Sequence, residues 1–322
     1  MARCLVTGHK GYIGSRLFER LQELGHDVLG IDLQEEYPKD IMHFLNEDYT
    51  GRFHPTYWNF KPEYVFHLAA IPRVLYSVEH PIKTTKNNVM AGSVVLNFAK
   101  KVGAKRVIYA GSSSVVGNGN GPASPYALQK LYTEKECKLY SELYGLDTVT
   151  LRYFNVYSPD QQAKTAYATA VANWMQHIRD NKFPFITGDG EQRRDMANRE
   201  DVVSANIFAM EYDGEFNGQH FDVGTGDNIS LNQMKDIVLE HLPNVVFEYV
   251  AEREGDVRYT KADIQPLIDL GWNPDYTIEK GIHECFRRLK NEIIQSSNGI
   301  INDGVTEVVD GTERYHRNTE RV

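Results

Sequence analysis

Cysteine is scarce in this sequence of 322 residues, which contains only Cys4, Cys137 and Cys285. Three widely separated thiols provide neither a disulfide framework nor the spacing of a metal site. The eleven histidines are scattered without ligand spacing as well. We therefore expect no metal and no disulfide-stapled fold.

Positive charge and long hydrophobic runs are also lacking. The 35 Lys and Arg residues stand against 44 Asp and Glu, which gives a net charge of −9, and no basic stripe marks a nucleic-acid surface. No apolar run approaches the ~20 residues of a membrane span. The first apolar strand begins almost at Met1, which leaves no room for a signal peptide. We expect a cytoplasmic protein without nucleic-acid or membrane partners.

Short apolar runs alternate with amphipathic segments in the first half of the chain. This alternation predicts βαβ units and a parallel sheet covered on both faces, an α/β fold of the Rossmann-type, doubly wound class. The expected strands are Cys4–Thr7, Val28–Asp32, Tyr64–Leu68, Arg106–Ala110 and Asp147–Arg152, and the expected helices lie near Ser15–Leu24, Lys86–Lys101 and Tyr126–Leu143.

Three regions follow from the pattern along the chain. Residues 1–158 are predicted to form a cofactor domain, and 159–295 a smaller substrate domain that is partly interleaved with it. From Ser296 the sequence is polar and aperiodic, which predicts a tail over 296–322. The connection Gln34–Phe60 has no clear helical pattern, so we expect an irregular crossover there.

A glycine-rich turn follows the first strand. Gly8 permits a tight turn, Gly11 lets the backbone approach a pyrophosphate, and Gly14 allows helix and strand to pack closely. Asp32 ends the second strand. A carboxylate there accepts the ribose hydroxyls and repels a 2′-phosphate, which favours NAD over NADP.

Tyr126 and Lys130 stand four residues apart, on one face of a helix. A tyrosine removes a proton from an alcohol only if its pKa falls from about 10 toward neutrality. The positive charge of a nearby lysine favours phenolate. The upstream triplet Ser112–Ser114 offers a hydroxyl to orient the alcohol, so the pattern indicates oxidation of a secondary alcohol.

These motifs resemble those of the extended short-chain dehydrogenase/reductase family, in its nucleotide-sugar epimerase/dehydratase branch. The similarity runs to about Leu289 and includes Asp40-Ile41, His67–Ala70, Asn88 and the strand Arg152–Tyr157. The cofactor-binding residues that the resemblance implies are Gly8, Gly11, Tyr12, Ile13, Gly14, Asp32, Asp40, Ile41, Leu68, Ala69, Ala70, Asn88, Tyr126 and Lys130.

The resemblance also implies a mechanism. Tyr126 takes the proton from the sugar 4-hydroxyl while C4 gives a hydride to NAD, Lys130 lowers the tyrosine pKa and holds the nicotinamide ribose, and Ser112 orients the reacting oxygen. The 4-keto sugar then rotates and regains the hydride on its other face. Family dehydratases and decarboxylases carry acidic residues where this chain has Ser113 and Ser114, so epimerisation is expected.

The substrate end resembles the family in two elements. In Gly188–Asp195, Arg194 matches a phosphate or ribose ligand, and Arg253–Asp256 matches a diphosphate and ribose element. The small residue Thr260 is expected to admit an N-acetyl group at the sugar 2-position. The implied substrate-binding residues are Ser112, Ser113, Asn155, Arg194, Arg253, Asp256 and Thr260. The loop Gly117–Pro125 has about half the usual length, which predicts a truncated lid.

The sequence thus predicts an NAD-dependent 4-epimerase of UDP-hexoses, including N-acetylated ones. A homodimer is expected, because relatives pair through the helices that correspond to Lys86–Lys101 and Tyr126–Leu143. Three alternatives stay open: a UDP-uronate 4-epimerase, a keto-sugar nucleotide reductase, and a cofactor-binding sensor without catalysis.

Overall fold

A six-stranded parallel sheet forms the centre of the protein. The structure, a computed structural model, describes residues 1–34, 41, 45, 55–117, 119–161, 163, 169–252 and 257–300. The sheet order is β2-β1-β3-β4-β5-β8, with every pair parallel. The strands are β1 (Arg3–Thr7), β2 (Asp27–Ile31), β3 (Tyr64–His67), β4 (Arg106–Ser112), β5 (Asp147–Tyr153), β6 (Phe185–Thr187), β7 (Arg193–Arg194), β8 (Gln219–Val223), β9 (Ile229–Ser230) and β10 (Glu248–Val250).

Helices connect the strands and cover both faces of the sheet. They are α1 (Tyr12–Glu23), α2 (Pro55–Phe60), α3 (Val74–Glu79), α4 (Pro81–Thr85), α5 (Ala91–Val102), α6 (Pro125–Tyr144), α7 (Ala170–Arg179), α8 (Arg199–Glu211), α9 (Leu231–His241), α10 (Gln265–Asp269) and α11 (Ile278–Ile300). A single π-helical turn, Lys86–Met90, precedes α5.

The two faces of the sheet carry separate cores, because successive strand side chains point in opposite directions. Cys4 and Val6 of β1 pack with α1 and α8, whereas Leu5 packs with α2, α5 and α6. The first crossover leaves β1 toward β2, and β3 lies on the other side of β1. The resulting switch point between β1 and β3 is where a parallel α/β sheet opens a ligand crevice. This architecture confirms the expected Rossmann-type fold.

A third core lies outside the sheet. Trp174 and Met175 of α7 pack against Ile282 and Phe286 of α11. The pairs β6–β10 and β7–β9 form two small sheets in the same part of the chain. This second layer corresponds to the predicted substrate domain, although the boundary at residue 158 stays a prediction: α8 and β8 follow that residue and still pack on the large sheet.

Three elements depart from the expectations. The strand β8 and the short helix α2 were not predicted. Helix α11 continues to Ile300, past Ser296, where a polar tail was expected to begin.

Among the described residues, no helix is both long and apolar enough to cross a membrane, and no three His, Cys, Asp or Glu side chains converge as a metal site. All three cysteines are free and buried.

A buried ion pair joins the sheet to the end of α8. The Nε of Arg106 lies 2.5 Å from Oδ2 of Asp147, and its Nη1 donates to the carbonyls of Ala209 and Tyr212. The other carboxylate oxygen, Oδ1, accepts the amides of Phe216 and Asn217, each at 2.9 Å. Every charged group of the pair is therefore bonded, which is the condition for burying it.

Removal of the carboxylate by Asp147→Ala is expected to lower the free energy of unfolding by about 3–5 kcal/mol, because it leaves the Arg106 charge buried and unpaired. Urea titration measures the change. As a control, Glu142→Ala removes an ion pair with Lys138 whose side chains are 52% and 58% exposed, and it should change stability by less than about 0.5 kcal/mol. Equal losses in the two variants would contradict the prediction.

Candidate functional site

The turn after β1 forms a cradle at the switch point. Gly8 has φ +76°, and a Cβ atom there would lie 2.8 Å from the Ala69 amide nitrogen after β3. A Cβ at Gly14 would lie 2.1 Å from the Gly8 carbonyl oxygen. Only glycine fits both positions, and helix α1 begins directly after Gly11. Amides at a helix start and the close backbone approach fit a pyrophosphate.

Asp32 lies at the end of β2, beside this cradle. Its carboxylate is 8% exposed and is oriented by two backbone amides. Oδ2 accepts Lys10 N at 2.9 Å, and Oδ1 accepts Gln34 N at 2.8 Å. A carboxylate oxygen accepts more than one hydrogen bond, so both oxygens retain capacity for ribose hydroxyls. The residues present therefore fit a dinucleotide with a free 2′-hydroxyl.

Two further predicted cofactor residues flank the start of α1. The hydroxyl groups of Tyr12 and Ser158 are 2.5 Å apart, which connects α1 to the chain leaving β5. Ile13 packs against the core formed by α1 and α8. Ile41 is buried in the opposite core, with Leu5, and the predicted partner Asp40 lies outside the described residues. The cofactor role of each stays a prediction.

The segment after β3 is held by buried polar side chains. Leu68 N donates to Thr7 O, and Ala69 N donates to the Thr7 hydroxyl, each at 3.2 Å. Asn88 accepts Ile71 N at 2.8 Å and donates to Gln129 Oε1 at 2.8 Å. Asn88 thus fixes the loop containing Leu68, Ala69 and Ala70 against α6. These bonds give Asn88 a positioning role, and its contact with a cofactor stays a prediction.

The predicted catalytic residues meet where β4 ends and α6 begins. Ser124 caps α6 by accepting Ala127 N, and Pro125 occupies the first turn. The Tyr126 amide donates to Ser77 Oγ at 3.0 Å, a contact that no sequence pattern predicts. Ser112 is the last residue of β4, and its hydroxyl lies 2.8 Å from that of Ser114.

Burial shifts the pKa values of Tyr126 and Lys130 in opposite directions. It raises the pKa of Tyr126 to about 12, against the opposing effect of a hydrogen bond with Ser112. Burial also lowers the pKa of Lys130 to about 7. The Lys130 Nζ donates to Ala110 O at 2.8 Å and lies 4.9 Å from the centre of the Tyr109 ring.

The chain alone therefore does not perform the expected pKa reduction. Lys130 was expected to bring the Tyr126 pKa toward neutrality, but desolvation dominates: it raises the Tyr126 pKa and lowers the Lys130 pKa. His67, which stacks on Tyr109, is neutral as well, because burial and then the Lys130 charge lower its pKa to about 3. An additional positive charge is needed to ionise the phenol near neutral pH.

A cavity of about 270 Å³ lies in the second layer. Arg194 of β7 and Asn155 line it, together with Thr187, Phe185 and Trp174. The lining combines polar and aromatic side chains, which suits a nucleotide with a flat base and a charged phosphate. Arg194 Nη1 donates to the Arg193 carbonyl at 3.0 Å, and the side chain is half-buried.

The other predicted substrate residues either do not line this cavity or fall outside the part of the chain that the structure describes. Arg253 and Asp256 fall outside the described residues. Ser113 begins the 3₁₀ turn after β4. The Thr260 hydroxyl accepts Asp195 N at 3.1 Å, and Thr260 is not one of the described residues lining the cavity. Asp195, which sequence reasoning left without a role, contacts this group, but no local pattern distinguishes it from a solvated aspartate.

Comparison with known proteins identifies related sequences and folds. Residues 4–224 match the model of the NAD dependent epimerase/dehydratase family. A putative UDP-glucose 4-epimerase of Methanocaldococcus jannaschii is 33% identical over 89% of this chain and 98% of its own length. A UDP-glucuronate 4-epimerase of Thermodesulfobacterium geofontis is 30% identical over 91% of this chain and 98% of its own.

Two solved structures have the same fold. One is the UDP-glucose 4-epimerase of Thermotoga maritima with UDP-glucose, with a TM-score of 0.81 and 30% identity, covering 90% of this chain and 99% of that chain. The other is the UDP-N-acetylglucosamine 4-epimerase of Methanobrevibacter ruminantium with UDP-N-acetylmuramic acid, with a TM-score of 0.78 and 30% identity. It covers 91% of this chain and 99% of that chain.

The lowered Lys130 pKa predicts a pH-dependent stability of the cofactor-free protein. The folded pKa of about 7 lies below the ordinary value of 10.5, so stability is complete above pH 10.5 and is lost as the pH falls to about 7. Lys130→Met should remove this dependence, which is on the order of a few kcal/mol. Urea titrations between pH 7 and 10 measure it.

Lys135→Met, at an exposed position of the same helix, is the control and should keep the wild-type profile. Parallel profiles for wild type and Lys130→Met would show that burial does not lower the Lys130 pKa.

Proposed function

The chain belongs to the NAD dependent epimerase/dehydratase family, and from that premise we propose that it is a 4-epimerase of UDP-hexoses, N-acetylated ones included. It is an NAD-dependent nucleotide-sugar enzyme. The observation that carries the proposal is the contact of the Tyr126 phenol with Ser112, next to a turn in which only serines follow the strand.

Tyr126 is proposed as the base that removes the proton from the sugar 4-hydroxyl. Its amide is fixed by Ser77, and its phenol is in contact with the Ser112 hydroxyl. Ser112 orients the same oxygen, because one hydroxyl can donate to the substrate while accepting from a neighbour. The two side chains thus hold the reacting oxygen from two directions, the requirement for proton transfer in a positioned complex.

NAD would be held by the glycine cradle of Gly8, Gly11 and Gly14, by Asp32 and by Lys130. Bound NAD would supply the acceptor for the C4 hydride and a positive charge. That charge supplies what the chain lacks, because burial alone keeps the Tyr126 pKa at about 12. Proton removal by Tyr126 is thereby coupled to the presence of the oxidised cofactor.

The residues after Ser112 favour epimerisation over elimination. Loss of water from the sugar needs an acid to protonate the leaving group. Ser113 and Ser114 occupy this turn, and the Ser114 hydroxyl contacts that of Ser112. A serine hydroxyl is too weak an acid to protonate a leaving group efficiently near neutral pH. Return of the hydride to the opposite face is the remaining outcome for the 4-keto sugar.

The range of sugars is proposed from the substrate end. The resemblance places the small residue Thr260 beside the sugar 2-position, where it would admit an acetamido group, and one neighbour of this fold is a UDP-N-acetylglucosamine 4-epimerase. A relative of similar identity acts on UDP-glucuronate, so the uronate is the second candidate. In either case Arg194 is proposed to meet the phosphate, as a planar bidentate donor.

Proton NMR of the purified protein with UDP-N-acetylglucosamine, without added cofactor, tests the proposal. Growth of the 4-epimer anomeric signal to an equilibrium mixture is expected. Conversion of UDP-glucuronate alone would favour the second candidate. If UDP-N-acetylglucosamine, UDP-glucose and UDP-glucuronate all stay unchanged after NAD is supplied, the proposal that this protein epimerises UDP-hexoses is wrong.

Tyr126→Phe is expected to reduce turnover by about 10²–10⁴-fold, because it removes the base. Bound NAD, measured after denaturing the protein, should be retained. Tyr144→Phe removes a hydroxyl from an exposed position on the same helix and should leave turnover unchanged. Full turnover in the Tyr126→Phe variant would instead fit a protein that binds cofactor without using this tyrosine.

A homodimer through α6 forms part of the proposal. Leu128, Tyr132, Leu139 and Leu143 are 50–67% exposed, and their spacings of four, seven and four residues put them on one helical face. A continuous apolar stripe on a helix surface marks an interface. The stripe lies beside α5, to which α6 is bonded through Ser93 and Glu136 at 2.8 Å.

The double variant Leu128→Glu/Leu139→Glu is expected to weaken the dimer at least about tenfold, because two charges enter an apolar contact. Sedimentation velocity against protein concentration measures the shift. Val246→Glu/Val250→Glu introduces the same charges at exposed positions of the second layer and should sediment like wild type. An unchanged dimer in the first variant would exclude the α6 stripe as the interface.

A further inference from the structure

Asp195 is the point at which the described substrate residues converge. Its amide donates to both the carbonyl and the hydroxyl of Thr260, each at 3.1 Å. Its carbonyl accepts Asn155 Nδ2 at 3.3 Å, and it follows Arg194 directly in the chain. Asn155 and Arg194 line the cavity. One residue therefore touches or adjoins three separate parts of the substrate end.

The Asp195 carboxylate has no contact with solvent and all its bonds go to loops around the site. The residue is 0% exposed. Oδ1 accepts the amide and the hydroxyl of Thr225, both at 2.9 Å. Oδ2 accepts Gly226 N at 3.0 Å and Ala262 N at 2.9 Å. Four donors for one carboxylate satisfy a group whose burial is otherwise costly.

The neighbouring glycine shows how closely the loop packs on this group. A Cβ atom at Gly224 would lie 2.9 Å from Asp195 Oδ1 and 2.7 Å from the Ala262 Cβ. The loop after β8 thus has room only for a backbone beside the carboxylate. Burial raises the pKa of Asp195, while these hydrogen bonds oppose the rise.

We propose that Asp195 is a positioning residue for nucleotide-sugar affinity: it fixes Arg194, Asn155 and Thr260 relative to one another by tying β7 to the Thr225–Gly226 loop and to Ala262. The inference rests on the proposed nucleotide-sugar site and deepens it. Asp195 does not touch the reacting atoms, which lie at the Tyr126 end of the crevice. Its loss should therefore weaken substrate binding and leave the chemical step intact.

Asp201→Asn is a matched control. Asp201 is also a buried carboxylate, 1% exposed, and it accepts backbone amides, from Asp275 at 2.8 Å and Tyr276 at 3.2 Å. It lies on α8 and joins the chain before α11, and it is not one of the described residues that line the cavity. If nucleotide affinity falls only because a buried charge is removed, it should fall in both variants.

Calorimetric titration of the NAD-loaded protein with UDP tests the proposal without requiring turnover. Asp195→Asn replaces an acceptor with an amide donor that faces two donors, and the dissociation constant for UDP should rise at least about tenfold. In Asp195→Ala the dissociation constant for UDP should rise further than in Asp195→Asn. Asp201→Asn should bind like wild type, and in the epimerase assay Asp195→Asn should raise KM with kcat nearly unchanged.

Wild-type UDP affinity in Asp195→Asn, or an equal loss in Asp201→Asn, would overturn the inference while leaving the proposed function intact. Failure of the wild-type protein to bind UDP would overturn both. If Asp195→Asn does not fold, Thr225→Val removes one of the four hydrogen bonds at a half-buried position. It should raise the dissociation constant about threefold, and an unchanged constant would again refute the role of Asp195.

Discussion

Buried polar side chains that bond to the backbone of a neighbouring strand or loop hold this site together. In a parallel sheet the carboxyl ends of β1, β3, β4 and β5 share one edge, and the amides and carbonyls there no longer pair with other strands. Thr7 and Asn88 bond to backbone amides just after β3, Lys130 bonds to a carbonyl near the end of β4, and Asp195 bonds to an amide after β8. Each bond removes the penalty for burying a polar atom and fixes a functional segment at the same time.

The same burial sets the electrostatics of the reaction. A hydrogen bond to Ala110 holds Lys130 inside the protein, and the surrounding apolar atoms disfavour its charge. Tyr126 is disfavoured as phenolate for the same reason. Burial thus opposes the phenolate of Tyr126 and the ammonium of Lys130 in the free protein. Under the proposed function, the tyrosine would act as a base only with a further positive charge nearby, so the proposed cofactor and catalytic sites would depend on each other.

The sheet and the cofactor turn could be predicted from the sequence because their signals are local. Apolar runs, the glycine spacing and Asp32 are visible within a short window, and β1 to β5 lie within a few residues of the expected positions. Strand β8, Gln219–Val223, has polar residues at the three of its five positions that are not buried, and its pairing with β5 spans a long separation in the chain. The Tyr126 pKa and the role of Asp195 depend on burial and on partners from distant segments, which no local pattern contains.

The loop after the serine turn is short, and under the proposed function this places more of the substrate selection in the second layer. Gly119 N and Gly121 N both donate to the Val116 carbonyl, and a Cβ at Gly117, with φ +57°, would lie 2.2 Å from the Gly121 carbonyl oxygen. These described residues bond to one another, and Val116 is 43% exposed. The affinity of the proposed site would then depend on the groups that Asp195 arranges around the cavity, because preorganised groups lose less freedom on binding.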